Sequence, residues 1–195
     1  MAPLIFIFGT SHVGKTTLAS RLAERLGLPI HSTDTMGRHP GRPWLPIPEP
    51  VAEHYTRLSD DTIYWFLRVH QENLWPHIHQ QIRDAARQAT GSIFEGSALR
   101  PEFLATLQVE DGAPVGLYAD DAFLRDRMLA ASNYQQQDAG QRLLIDKFIT
   151  RSLRQNADFV DVATREGIPL LNAADEAEIA RHADRLAADL RSKAS

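Results

Sequence analysis

The segment Gly9–Thr16, which reads Gly-Thr-Ser-His-Val-Gly-Lys-Thr, has residue types at a spacing that can bind phosphate. It satisfies the pattern G-x-x-x-x-G-K-[ST] at every constrained position. Glycines at both ends let consecutive backbone N–H groups turn towards one phosphate group, and a helix beginning near Gly14 adds further unpaired N–H groups. In this pattern Lys15 reaches the β- and γ-phosphates, and the Thr16 hydroxyl coordinates Mg²⁺. The sequence therefore predicts a site for a nucleoside triphosphate.

The residues on either side supply the setting that this pattern requires. Leu4–Phe8 is an uninterrupted apolar run that predicts a buried strand, and Lys15–Leu26 follows with helical spacing. A glycine-rich turn before an ordinary helix would explain the glycines but neither Lys15 nor Thr16. The predicted nucleotide-binding residues are Gly9, Thr10, Ser11, His12, Val13, Gly14, Lys15, Thr16 and Thr17.

Length and composition limit what can surround this site. A chain of 195 residues with a net charge of −4 fits one domain over 1–195, and it lacks the basic excess of a dedicated nucleic-acid binder. The absence of cysteine excludes disulfides and thiolate metal sites. The eight histidines show no H-E-x-x-H or comparable ligand set, so we predict no transition-metal site. With no apolar stretch of membrane-spanning length, we expect a cytoplasmic protein with no membrane partner.

Strand and helix patterns alternate along the rest of the chain. Further strands are predicted at 28–31, 92–94, 115–119 and 168–171, and further helices at 60–88, 101–107, 121–131, 140–165 and 176–191. Pro76 is expected to kink or restart the first of these helices. The Pro- and Gly-rich segment 35–50 predicts irregular structure, and the polar run 132–137 a mobile connection. The alternation favours a mostly parallel α/β sheet.

The motif and the order of the elements together resemble those of P-loop kinases of small molecules, the group that contains adenylate, shikimate and gluconate kinases. Within it the chain is most similar to chloramphenicol phosphotransferase-like and 2-phosphoglycerate kinase-like proteins. The resemblance implies a three-layer P-loop NTPase fold with a parallel five-stranded sheet in the order 2-3-1-4-5. It also implies a helical acceptor-binding insertion over 35–88, a lid over 131–141, ATP and Mg²⁺ as cofactors, and a small-molecule acceptor.

Two carboxylates follow predicted strands. Asp34 stands where the resemblance implies a residue that binds or deprotonates the acceptor hydroxyl, and the alternative is an aspartate that caps a turn. Glu95 ends the third strand and could hold Mg²⁺ or contact the acceptor. The segment Glu95–Arg100 replaces the acceptor motif of adenylate kinases and departs from it. Activity as a specific adenylate kinase is therefore not expected.

Cations are expected to neutralise the transferring phosphoryl group and to bind the acceptor. Arg127 matches the arginine that flanks the lid in the resembled group, and Arg100 lies near the place of a substrate-binding arginine. Arg38 and Arg151 complete the predicted substrate-binding residues. Arg151 shares one helix face with Lys147 and Arg154, a stripe that could close over the phosphates or could pair with Asp146, Asp158 or Asp161.

The predicted insertion over 35–88 is rich in aromatic residues. Aromatic residues of the insertion, together with Arg38, Arg42 and Arg68, could frame a ring-bearing, anionic or hydroxylated acceptor. The aromatic residues could equally pack the insertion onto the core; they are Trp44, Tyr55, Tyr64, Trp65, Phe66 and Trp75. The expected function is ATP- and Mg²⁺-dependent transfer of the γ-phosphoryl group to a hydroxyl of a small molecule. Two alternatives remain, a nucleotide-switched module that acts on a protein partner and a toxin-like kinase of nucleotide sugars. The oligomeric state is not predicted.

Overall fold

Strands and helices alternate through the computed structural model, which describes residues 3–38, 40–44, 46–88, 90–109 and 112–194. The strands are β1 Leu4–Phe8, β2 Ile30–Ser32, β3 Ser92–Glu95, β4 Gly112–Tyr118 and β5 Leu170–Asn172. The helices are α1 Lys15–Leu26, α2 Glu49–Arg57, α3 Asp60–Ala86, α4 Pro101–Leu104, α5 Asp121–Ala131, α6 Ala139–Arg165 and α7 Glu176–Ala194. Short 3₁₀ turns span Thr33–Thr35 and Tyr134–Gln136.

The five strands form one sheet in the order β2-β3-β1-β4-β5, and every pair is parallel. β1 is central and fully buried, as expected of a strand that is covered on both faces. In the register of the sheet, Ile7 of β1 lies beside Glu95 of β3, which lies beside Ser32 of β2. The carboxyl ends of these three strands therefore meet at one edge. The predicted sheet order is confirmed.

Helices cover the sheet on both faces. Alternate residues of β1 enter two separate apolar clusters, Ile5 and Ile7 on one face and Phe6 and Phe8 on the other. The first cluster includes apolar residues of α1, α5 and α7, and the second includes residues of α3 and α4. α6 contributes to both, through Phe148 near its start and Phe159 near its end. The predicted three-layer architecture is confirmed.

Prolines account for two differences between the predicted and observed elements. β4 begins at Gly112 rather than at 115 and contains Pro114. A proline is tolerated there because β5 pairs with β4 only from Gly116 onward, so no ladder bond on that side is lost. α2 begins at Glu49, inside the segment predicted to be irregular. Pro50 is tolerated in its first turn, because backbone N–H groups at this position of a helix have no partner within the helix.

The structure corrects one further prediction and shows the conformation of the polar run 132–137. α3 does not restart at Pro76, because buried residues on both sides of the proline, including Gln71 and Ile78, hold one continuous helix against the core. The segment predicted as a mobile connection contains the 3₁₀ turn Tyr134–Gln136, and Arg142 donates to the carbonyls of Tyr134 and Gln135. Within the described part of the chain, no helix has the length and apolar character to cross a membrane.

Candidate active site

A cavity of about 200 Å³ lies beyond the carboxyl ends of β1, β2 and β3. The phosphate-loop segment forms one wall, and residues of α3, α5, α6 and the loops after β2 and β3 form the others. Ligands of open parallel sheets bind at this edge. The lining residues of the loop are Ser11, His12, Gly14, Lys15, Thr16 and Thr17, and the opposing ones include Asp34, Arg42, Gln71, Ser97, Arg127, Phe148 and Arg151.

The phosphate loop is shaped by its backbone. Gly14, which directly precedes the first residue of α1, has a φ of 107°. In this left-handed conformation a residue with a side chain would be strained. Gly9, Thr10 and Val13 belong to the predicted nucleotide-binding set but are buried and do not line the cavity. The Thr10 hydroxyl donates to the Ser152 carbonyl at 2.7 Å. Helix α6 is therefore attached directly to the loop.

Lys15 is buried beside the two predicted carboxylates. Its Nζ donates to the Thr10 carbonyl at 2.8 Å. Burial lowers the pKa of Lys15, and the charges of Asp34 and Glu95 oppose this by raising it. The loop lysine and both carboxylates therefore share one electrostatic environment.

Thr16 and Glu95 offer oxygen ligands at the place predicted for Mg²⁺. The Thr16 hydroxyl lies 3.4 Å from Glu95 Oε2, and Glu95 is only 3% exposed. Hydroxyl and carboxylate oxygens suit Mg²⁺, which takes its other ligands from phosphate and water. Among the described residues no group of three His, Asp or Glu side chains could hold a metal by itself. The donor set thus fits a metal that arrives with a phosphate ligand.

Asp34 lies in the 3₁₀ turn after β2 and lines the cavity. Its Oδ1 accepts long hydrogen bonds of 3.5 Å from the backbone N–H and hydroxyl of Ser97. Gly96 permits this approach: a Cβ at Gly96, where φ is 147°, would lie 1.8 Å from Thr33 Oγ1. The close packing of the two loops therefore depends on the absence of a side chain at position 96.

His12 is an unusual component of the loop. It has a φ of 63°, and its ring lies 5.4 Å from that of Trp44, in the insertion, and 6.4 Å from that of Phe148. Burial lowers the pKa of His12 to about 4, with smaller contributions from the charges of Arg42, Lys15 and Arg127. His12 is therefore neutral at pH 7.

The predicted arginines lie in three different environments. Arg127 lines the cavity close to the loop, since a Cβ at Gly14 would be 3.8 Å from its Nη1. Arg151 also lines the cavity and is 7% exposed. Arg38 lies in a neighbouring cavity of about 70 Å³ and does not line the main one. The predicted lid segment 131–141 contributes no lining residue.

The structure does not bring Arg100 to the cavity. Its side chain is 1% exposed and forms an ion pair with Glu102. Its Nη1 donates to Gln71 Oε1 at 3.1 Å, and its guanidinium lies 5.4 Å from the centroid of the Phe159 ring. Arg100 therefore joins α3, α4 and α6, and the expected contact with the substrate is corrected to an internal role.

The cationic stripe of α6 is divided. Lys147 pairs with Asp60 at 3.4 Å and Arg154 with Asp61 at 2.6 Å, so both bind the start of α3 rather than the aspartates that the sequence suggested. Arg151 alone of the three lines the cavity.

Most aromatic residues of the insertion pack internally rather than frame the cavity. Tyr55 and Tyr64 are buried, whereas Trp65 is 60% exposed. Arg42, which the sequence suggested as a cation near the acceptor, lines the cavity. Sequence reasoning gave no cavity role to Gln71, Ser97 or Phe148, which also line it. A signal existed for Gln71, because Leu67 and Leu74, four residues before it and three after it on α3, share its side of the helix and line the same cavity.

A sequence profile of the AAA domain matches residues 5–142, which is most of the chain. The chain belongs to the AAA domain family. The match includes the phosphate loop, β2, the insertion, β3 and Arg127. No curated protein matches this AAA-domain chain in sequence.

Solved structures share the fold of this AAA-domain chain over nearly its whole length. Shikimate kinase from Bacteroides thetaiotaomicron is 20% identical with a TM-score of 0.51, and the match covers 97% of this chain and 98% of that one. Deoxyadenosine kinase from M. mycoides is 14% identical with a TM-score of 0.52, covering 97% and 99%. The tRNA delta(2)-isopentenylpyrophosphate transferase from Staphylococcus epidermidis is 12% identical with a TM-score of 0.56, covering 99% and 100%. The predicted resemblance to P-loop kinases is confirmed at the level of the fold.

Proposed function

We propose that this chain is a kinase that transfers the γ-phosphoryl group of ATP to a hydroxyl of a small molecule. The observation that carries the proposal is the main cavity, in which the phosphate loop faces Asp34 and Arg127. Two reactants placed in that cavity would be held with a carboxylate at the acceptor and a cation at the phosphates. The fold of the chain is found in shikimate kinase and deoxyadenosine kinase but also in an isopentenyl transferase. The residues of the site, and not the fold, therefore support the proposed reaction.

Each residue has a proposed part in the transfer. The loop N–H groups and Lys15 hold the β- and γ-phosphates, and Arg127 neutralises charge on the group in transfer. A bond forms between phosphorus and the acceptor oxygen while the bond to the β-phosphate oxygen breaks, and Asp34 accepts the hydroxyl proton. Thr16 and Glu95 would hold Mg²⁺, which neutralises phosphate charge when bound. Since ATP is abundant in the cytoplasm, we place the activity there.

The test is ADP release from Mg–ATP against a panel of hydroxylated metabolites, with phosphorylated product identified by mass spectrometry. We expect strong stimulation by one chemical class and no turnover by Lys15→Ala, with its fold confirmed by circular dichroism. Slow hydrolysis that no compound changes would contradict a kinase. It would favour a nucleotide-switched module instead.

The proposed roles of Asp34 and Glu95 are distinguished by comparing one variant of each residue. Asp34→Asn should leave ATP affinity nearly unchanged and lower the transfer rate by two orders of magnitude or more, the scale of general-base catalysis. Glu95→Gln should instead raise the Mg²⁺ concentration needed for half-maximal rate. If Asp34→Asn keeps the full rate, Asp34 only caps the turn and Glu95 becomes the base.

A further inference from the structure

Arg151 is a buried cation for which the described residues provide no carboxylate. It is 7% exposed, and its hydrogen bonds, to the Tyr55 and Ser152 hydroxyls, are both 3.5 Å long. Its Nε has no hydrogen-bond partner in the described structure, and the Phe148 ring lies 4.4 Å from its guanidinium carbon. A buried guanidinium without a counter-charge is costly. The arrangement suits an anion that comes from a ligand.

The neighbouring cations show that the chain does supply carboxylates along the same helix. Lys147 and Arg154, one turn before and one turn after Arg151, pair with Asp60 and Asp61 of α3. Of these three cations, only Arg151, which faces the cavity, lacks a carboxylate partner among the described residues. In the main cavity Lys15 belongs to the phosphate loop and Arg127 of α5 lies beside that loop, whereas Arg42 is exposed to solvent. Arg151 is therefore the buried cation that remains for the second reactant.

Arg151 also lies at the junction of two cavities. The second cavity, of about 70 Å³, shares Leu67, His70 and Arg151 with the main one. Its apolar wall is formed by Ile63, Phe66 and Leu67. A volume of 70 Å³ is about that of two to three water molecules in the liquid, which suits a short alkyl group or the edge of a ring.

We propose that the acceptor is a hydroxylated organic acid whose anionic group pairs with Arg151 and whose apolar part enters the second cavity. This rests on the proposed kinase function, since it assigns the hydroxyl of the same molecule to Asp34. An anion at Arg151 compensates the buried charge, and Leu67 contacts the molecule in both cavities. The acceptor class thus combines a hydroxyl, an acidic group and a small apolar group.

The test compares matched acids and amides in binding, so it does not depend on turnover. The probes are lactate, 2-hydroxy-4-methylpentanoate and 3-phenyllactate, each beside its primary amide, titrated by ligand-observed NMR into the protein with Mg–ADP. We expect each acid to bind at least tenfold tighter than its amide. Arg151→Gln should remove that preference, whereas Arg154→Gln, on the same helix but outside the cavity, should keep it.

Equal binding of acids and amides, a preference that survives Arg151→Gln, or no binding by any acid would overturn the proposal. The apolar part is tested by Phe66→Ala, which removes part of the wall of the second cavity at a residue that does not line the main one. It should weaken 2-hydroxy-4-methylpentanoate at least fivefold and leave lactate unchanged. An equal effect on both acids would exclude the second cavity.

The two proposals can fail separately. Acid binding that depends on Arg151, without ADP release in the metabolite panel, would contradict the kinase and leave the acid site standing. Phosphorylation of an uncharged acceptor, with rates unaffected by Arg151→Gln, would support the kinase and reject the acid.

Discussion

At the scale of single residues, the site depends on side chains whose ordinary behaviour is changed by their surroundings. His12 is neutral because it is buried among Arg42, Lys15 and Arg127, all of which disfavour its protonated form. Lys15 is buried in the same environment but retains two carboxylates nearby, Asp34 and Glu95, that favour its charge. The loop therefore contains one cation that can bind phosphate, Lys15, and a neutral histidine, His12, that adds no second positive charge.

The lowered pKa of His12 predicts a pH dependence of stability. Folded His12 takes up a proton only near pH 4, whereas in the unfolded chain it does so near 6.5. Acidification through this range therefore favours the unfolded state, and the contribution of His12 to stability is complete above pH 6.5 and lost towards pH 4. Because solvent screens part of this effect, we expect protonation of His12 to lower the free energy of unfolding by about 1–2 kcal/mol on acidification.

The measurement is urea unfolding of the wild type and of His12→Asn, which tolerates the left-handed backbone, at pH 7 and pH 4.5. The free energy of unfolding should fall less on acidification in the variant, by about the amount given above. His54 and His182, whose pKa values burial also lowers, are present in both proteins and cancel. An equal fall in the free energy of unfolding in the two proteins would show that folding does not lower the pKa of His12.

Gly96 gives a second prediction at this scale. Gly96→Ala places a Cβ 1.8 Å from Thr33 Oγ1 and 3.3 Å from Asp34 Oδ1, so the loop after β2 must move. We expect a loss of stability of about 2–4 kcal/mol and weaker transfer.

Gly27→Ala is the matched control for Gly96→Ala. Gly27 also has a positive φ, 68°, but nothing lies within 4 Å of a Cβ at that position. Its substitution should cost only about 1 kcal/mol for the backbone conformation. Equal losses in the two variants, measured by urea unfolding, would mean that crowding against Thr33 contributes nothing.

At the scale of elements, tertiary contacts override local signals in α3. Pro76 lies within this helix and is exposed, and it removes a backbone hydrogen bond that the helix would otherwise form. Apolar residues on both sides of it, Ile63 and Ile78, are 1% and 0% exposed. Their burial stabilises the helix against the cost of the proline.

This balance predicts that Pro76→Ala stabilises the protein. Restoring the hydrogen bond and removing the ring should add about 1–3 kcal/mol to the free energy of unfolding. Asn73→Ala, an exposed control three residues earlier on α3, should add only a few tenths of a kcal/mol. A variant at position 76 that is less stable than the wild type would show that the packing of α3 requires the proline.

Strand boundaries illustrate the same limit of local patterns. Strand β4 contains Pro114, which locally argues against a strand, yet it pairs with Phe6 of β1. The short β5 leaves that proline without a neighbour on its other side. Only the relative lengths of three strands make this arrangement possible, and no window of sequence contains that information.

At the scale of the whole molecule, the insertion and α6 meet over the phosphate loop. The ring of Trp44 lies 5.0 Å from that of Phe148 and 5.4 Å from that of His12. Gln141, at the start of α6, donates to the Pro43 carbonyl. A ligand at the loop therefore contacts an assembly that includes the segment predicted to bind the acceptor.

This contact predicts that the fluorescence of Trp44 reports nucleotide binding. In a variant with Trp65→Phe and Trp75→Phe, Mg–ATP should change the Trp44 emission with the same Kd as calorimetry gives. A control that retains only Trp65, which is 60% exposed, should show no change. Binding by calorimetry with constant Trp44 emission would contradict the coupling of the insertion to the loop.

The sequence by itself determined the phosphate loop, the central strand and the order of strands and helices apart from α2, because these depend on local spacing and on uninterrupted apolar runs. It also predicted the carboxylates Asp34 and Glu95, which follow strands that end at one edge of the sheet. Tertiary structure alone decided the partners of the arginines. Arg100 and Arg151 look equivalent in sequence, yet one is paired with Asp158 of α6 and the other faces a cavity. Ion pairing depends on distances between elements far apart in the chain, and no local pattern records those distances.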